Sequence, residues 1–291
     1  MRGTRGMRGR AGSRRTGSRR AGSRRVRAGV LVAAAALAGG GQFGSGAWPA
    51  AAAGTAPVRV CPAETLPPGL PSPAAAPASA PVPDGVVLPP SAALFAARYP
   101  GDVQYLVAPG DWTCDVVFFA GDGGEQAFVH PGPPVADPAG ARFASVVQAV
   151  FVSGGAQTNI DLACPFIPQA TASGGICNSP PHQGADRLHP LPVRTPGVFL
   201  TAVGVPAGTR EPDLPATGGP DRTVALVTFQ TPGGPGQEIG CTVPASASPV
   251  PTCQAALGHF LATSAAGRQL PPADLAAALA DLDAFVAAYL A

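Results

Sequence analysis

Six cysteines constrain this chain more than any other feature: Cys61, Cys114, Cys164, Cys177, Cys241 and Cys253. All six follow a leader-like N-terminus, and their number is even. In an exported chain that pattern reads as a disulfide framework. Six cysteines allow fifteen connectivities, and sequence alone does not choose among them. Spacing suggests that neighbours pair: Cys164 with Cys177 across a Gly- and Ser-rich loop, Cys241 with Cys253 across a Pro-rich loop, and Cys61 with Cys114 by remainder. Closing a loop of about 15 residues removes on the order of 3 kcal/mol of unfolded-state entropy. Three such links rival the net stability of an ordinary domain. They matter here because large apolar side chains are scarce. The 291 residues include 38 Gly and 36 Pro, and only 6% are aromatic. Much of the hydrophobic share is alanine, which adds little transfer free energy. No Cys-x-x-Cys pair occurs, and no His stands at ligand spacing from a Cys, so a thiolate zinc site is not indicated.

The charge is divided along the chain. Eleven of the nineteen arginines lie in residues 1–27, where GSRR repeats three times and no acidic residue occurs. The apolar run AGVLVAAAALA follows at 28–38, and Ala51-Ala52-Ala53 offers a cleavage site. A basic region, a short apolar region and small residues at the cut make a secretory signal peptide, so we assign 1–53 to it. The mature chain then begins near Gly54. The apolar run is too short for a stable membrane span. No Cys follows it directly, so a lipid anchor is not indicated. Ser23-Arg24-Arg25 hints at twin-arginine export. From residue 54 onward eight arginines face seventeen acidic residues, a balance of −9 that disfavours nucleic acid as a partner.

Residues 54–90 are rich in Pro and Ala and read as a polyproline-like linker or wall spacer, tied back through Cys61. Residues 91–291 read as a single globular domain. SAALFAARY at 91–99 suggests a short helix ended by Pro100 and Gly101. WTCDVVFF at 112–119 and EQAFVH at 125–130 flank AGDGG and read as a β-hairpin. Further strands are expected at 142–152, 197–205, 223–230 and 238–243. Thr252 is a plausible N-cap for a helix over 253–266, with Gly267 as its stop. Pro271 and Pro272 open a last helix to residue 290, with Leu275, Leu279, Leu282, Val286 and Leu290 as its apolar stripe. Asp281 and Asp283 make that helix costly to place in a membrane. Strands followed by two terminal helices give an α+β fold, mainly antiparallel sheet, stapled by disulfides.

Few motifs suggest chemistry. Leu214-Pro215-Ala216-Thr217-Gly218 matches the sortase signal LPxTG, but about seventy residues follow it and no basic tail does. Ser153-Gly154-Gly155 and Ser173-Gly174-Gly175 lack the flanking residues of protease nucleophile loops, and no nucleophile elbow is present. His182, Asp186 and His189 share one Pro-rich loop and form a conceivable ligand set, though their spacing suits no common metal site. Asp111 and Asp115 bracket Trp112 and Cys114 and are the only candidate carboxylate pair for glycoside hydrolysis. His259 beside Phe260 is expected at the core margin, and His130 carries no motif.

As an ensemble, Pro109-Gly110-Asp111-Trp112-Thr113-Cys114, the Gly121-Asp122-Gly123 turn, Ala163-Cys164-Pro165-Phe166-Ile167-Pro168, Cys241-Thr242-Val243-Pro244 and Cys253 with Ala256, Leu257 and Phe260 resemble a family of exported, disulfide-containing proteins of high-GC actinobacteria. The resemblance spans roughly 95–261. It implies export and disulfides, and it carries over no catalytic residues. The expectation is an exported, non-catalytic protein of the cell envelope or extracellular space, needing no cofactor. Its expected partners are a cell-wall component or an extracellular protein, with no stable membrane span after signal cleavage. The alternatives are an extracellular hydrolase using Asp111, Asp115 or the His182 loop, and a protease inhibitor presenting the braced loop 166–176.

Overall fold

Runs of β-branched and aromatic residues shape most of the chain beyond residue 54. A computed structural model describes residues 54–62, 75–99, 102–119, 124–152, 155–212, 214, 217–231, 234–242, 244 and 249–291. Residues 1–53, expected to be a leader, and 63–74 of the Pro-rich stretch lie outside the described residues.

Two sheets form. The smaller has four strands: β1 (Thr55–Val60), β2 (Ser79–Pro81), β3 (Ala92–Tyr99) and β4 (Asp102–Pro109), in the order β2-β1-β3-β4. Strand β1 runs parallel to β3, and the other two pairings are antiparallel. The larger sheet contains β5 (Thr113–Phe119), β6 (Gly124–His130), β7 (Val146–Val152), β8 (Arg187–Pro190), β9 (Val198–Val205), β10 (Thr223–Gln230) and β11 (Gln237–Thr242). Its order is β5-β6-β7-β11-β10-β9-β8, and every pairing is antiparallel. Among the described residues three α-helices complete the fold: α1 (Ala156–Ala163), α2 (Pro249–Thr263) and α3 (Pro272–Leu290). A 3-10 turn follows α1 at Pro168–Ser173. The α+β class, the hairpin and the two terminal helices agree with the sequence expectation.

Alternation along the strands divides the large sheet into two faces. One face packs against a mixed layer of the small sheet, α2 and α3. Strand β4 lies against β7 and α2, while α3 lies over β9 and β10. This is the main core, with Leu94, Leu106, Leu226, Ile239, Leu257 and Leu282 all buried. On the other face, α1 and the 3-10 turn cover Val203, Ala225, Val227 and Phe229. Phe143 covers Phe128 and Val146.

The disulfides join these layers. Cys61, just after β1, pairs with Cys114 on β5, with Cα atoms 5.1 Å apart. Cys241 on β11 pairs with Cys253 on α2 at 5.5 Å. Cys164 at the end of α1 pairs with Cys177 at 5.8 Å, bracing the cover of the opposite face.

Three sequence expectations need correction. Residues 92–99 are a strand, not a helix. Ala93 to Ala97 are all buried, with β1 on one side and β4 on the other. Tertiary pairing overrides the helix propensity of a run too short to be helical alone. Residues 55–60 and 79–81 are strands of the small sheet rather than spacer. Ala56 and Ala80 are buried there, and their small side chains suit the close approach. Helix α2 starts at Pro249, so Thr252 lies inside it instead of capping it. Pro249 and Pro251 are tolerated in a first turn because the N–H groups there have no intrahelical partner. The helix ends at Thr263, and Gly267 opens a 3-10 turn where a Cβ would run into the Leu261 carbonyl.

Candidate functional site

The hairpin register sets Thr113 opposite His130 and Asp115 opposite Phe128. Asp115 Oδ2 accepts hydrogen bonds from His130 Nε2 at 2.7 Å and from the Val135 N–H at 3.0 Å. His130 Nδ1 lies 3.0 Å from the Pro131 carbonyl. The imidazole is buried and stacks on Phe143 at 4.5 Å. This pair fastens the loop 131–145 to the sheet and leaves no ring nitrogen facing solvent. Asp111 sits exposed in the turn before β5. Asp111 and Asp115 therefore differ in surroundings and do not flank a common space.

The loop containing His182, Asp186 and His189 is not a ligand set either. His182 is exposed. Asp186 Oδ1 accepts the Tyr289 hydroxyl at 2.8 Å, and His189 Nε2 donates to Asp281 Oδ2 at 2.7 Å. His189 stacks on Phe285, and Phe285 on Tyr289. The Arg187 and Arg222 guanidinium groups lie 5.6 and 5.7 Å from the Tyr289 ring centroid. Arg222 also donates to the Tyr289 carbonyl at 2.8 Å. Asp281, Phe285 and Tyr289 recur at intervals of four, so one helical stripe carries all three. They clasp α3 to the β8–β10 end of the sheet. Burial, aided by the Asp186 hydrogen bond, pushes the Tyr289 phenol well above its ordinary range. Among the described residues no three His, Cys, Asp or Glu form a metal-binding group.

The LPxTG segment is built in. Leu214 and Thr217 are buried. Thr217 Oγ1 accepts from the Glu211 N–H at 2.7 Å and donates toward the Leu214 carbonyl at 2.7 Å. Glu211 Oε2 in turn accepts three backbone N–H groups, from Gln183, Gly184 and Ala185, at 2.7 to 3.0 Å. A carboxylate in such a cradle is a structural anchor. In the braced loop, Phe166, Ile167 and Ala170 are buried, and Pro168–Ser173 is 3-10 helical. Asp161 ties Asn178 and Gln157 together behind the disulfide. Only at Ile176 does this loop expose a large apolar side chain.

Glu125 escaped the sequence reading, and His259 lies deeper than that reading placed it. Glu125 alternates with Ala127 and Val129 on the core face of β6, fully buried, and neither carboxyl oxygen has a hydrogen-bond partner. Burial pushes it up to about 7. His259 is 1% exposed, deeper than the core margin, with both ring nitrogens unpartnered and its ring edge-on to Tyr105. Burial pushes it down to about 4. The alternation in EQAFVH was the available signal for Glu125. No local pattern marked His259.

Among the described residues, clefts open in two places. At one, under residues 83–90, two adjoining clefts share Gly85, Leu279 and Asp283 as lining. Burial pushes the Asp283 carboxyl upward. The other, of about 620 Å³, lies between the segment 166–169 and the β8–β9 connection. Its walls include Phe166, Ile167, Leu188, Val193 and Phe199, and Arg194 also lines it. Comparison with family models, curated proteins and solved structures finds no match. Three disulfides fit an oxidising, extracellular setting. No helix among the described residues is long and apolar enough to cross a membrane.

Proposed function

We propose that this is an exported protein with a non-catalytic binding or structural role, at the cell envelope or outside the cell. The observation that carries the reading is the placement of the cross-links. Two of the three disulfides join the large sheet to the opposing layer, and the third braces its other face. Such a scaffold holds its surface rigid where thiols stay oxidised. The side chains with most chemical promise support the same reading, because each holds one element to another. Asp115 and His130 fasten a loop, while Asp186 and His189 fasten α3. The leader-like N-terminus and the resemblance to exported actinobacterial proteins point the same way.

Expression of the full chain in a Gram-positive host tests it. The protein is expected in the medium or envelope fraction, starting near Gly54 and without free thiols. A reduced, folded protein kept in the cytosol would overturn the proposal. Hydrolysis of a glycoside or peptide that is lost in Asp115→Asn would overturn its non-catalytic part.

A further inference from the structure

We propose that the cleft between segment 166–169 and the β8–β9 connection binds an amphipathic carboxylate, an acyl chain whose head group pairs with Arg194. This rests on the binding role proposed above and names its ligand class. The cleft has the size of an ordinary small-molecule site, about 300–1,000 Å³, and mainly apolar walls. Arg194 is the one charged side chain among the described residues lining it. It is exposed, and among the described residues it has neither ion pair nor hydrogen bond. Next to it, Thr195 Oγ1 is buried without a partner. A hydroxyl left in that state costs free energy until a hydrogen-bond partner reaches it. An unopposed guanidinium calls for an anion, the planar fork of Arg matches a carboxylate, and the free hydroxyl can donate to it.

The walls favour a hydrocarbon tail over a peptide. Pro168, Pro190 and Pro196 line the cleft and offer no N–H. Strand β8, at the open edge of the sheet, ends on Pro190. A peptide lying here would bury amide groups with few partners, at a cost a methylene chain does not incur. Phe166, Ile167 and Leu188 offer that chain apolar contact.

The test is calorimetric titration of the oxidised protein with submicellar decanoate, its shorter homologues hexanoate and octanoate, decylammonium, and the peptide N-acetyl-Val-Leu-Phe with a free carboxylate. Decanoate should bind saturably, and each methylene should tighten binding by up to about fourfold. Arg194→Gln should weaken it about tenfold, the worth of one charge-assisted hydrogen bond, while Arg194→Lys keeps part of the affinity. Because Arg194 is exposed, both variants should melt like the wild type. Equal binding of decylammonium, unchanged affinity in Arg194→Gln, or tighter binding of the peptide would each overturn the proposal. A failed titration removes this ligand but leaves the exported, non-catalytic reading, which is decided by the N-terminus and the thiol state.

Discussion

Replacing Glu125 by Gln should expose a pH dependence that the wild-type protein conceals. His259 takes up its proton near 6.5 when unfolded but only near about 4 when folded. Between those values the unfolded chain binds more protons, so His259 makes stability rise with pH. Glu125 has the opposite sign. It gives up its proton near 4.5 when unfolded and holds it to about 7 in the fold. There the folded state binds more protons, and stability falls as pH rises. From pH 4.5 to 6.5 each group should change stability by about 2 kcal/mol, in opposite directions. These two contributions should therefore nearly cancel in the wild type across that window. Glu125→Gln should gain about 2 kcal/mol from pH 4.5 to 6.5, and at pH 8 it should exceed the wild type by about 3 kcal/mol. His259→Leu should lose about 2 kcal/mol over the same window. The double variant should return to the slope of the wild type. Urea unfolding at several pH values, with disulfides intact, measures each curve. Parallel curves for the wild type and Glu125→Gln would refute the assignment of Glu125 as a buried, unpartnered acid.

Other expectations concern the cross-links and the α3 clasp. Reduction should raise the intact mass by six hydrogens, since the described cysteines form three disulfides and none is free; any native thiol reacting with a maleimide would contradict this. Converting Cys241 and Cys253 to Ser should cost about 3 kcal/mol, and converting Cys61 and Cys114 about 4 kcal/mol, because the second loop is longer. Chemical unfolding that ranks them the other way would show that loop entropy does not govern. Gly204→Ala would set a Cβ 2.6 Å from Tyr289 Cζ and push α3 off the sheet. A loss of about 1–3 kcal/mol is expected, visible as a lower melting temperature and a changed tyrosine signal. Tyr289→Phe keeps the ring but loses the bond to Asp186, for about 2 kcal/mol by the same melt.

Much of the fold was legible where a local pattern coincided with the final environment. The alternation in TCDVVFF and EQAFVH, separated by glycines, specifies a hairpin, and β5 and β6 form it. The spacing of Leu279, Leu282 and Val286 specifies a helix with one buried stripe, and α3 buries all three. Export and cross-linking were readable as expectations from the leader-like N-terminus and the even cysteine number. The candidate site was not readable. Arg194 and Thr195 sit in a Pro-rich connection without a motif, and they become a site only because Phe166 and Ile167, from a distant segment, form the facing wall.

What the sequence determined by itself is the set of local periods, the cysteine number and the charge division between residues 1–53 and the remainder, because these depend only on neighbouring residues. The tertiary structure alone decided that Ala93 to Ala97 extend into a strand, that Asp186 and His189 clasp a helix some hundred residues away, and that Glu125 and His259 are buried. Each of those outcomes depends on which distant surface covers the residue. That surface sets the partners available to its backbone and the solvation of its charge.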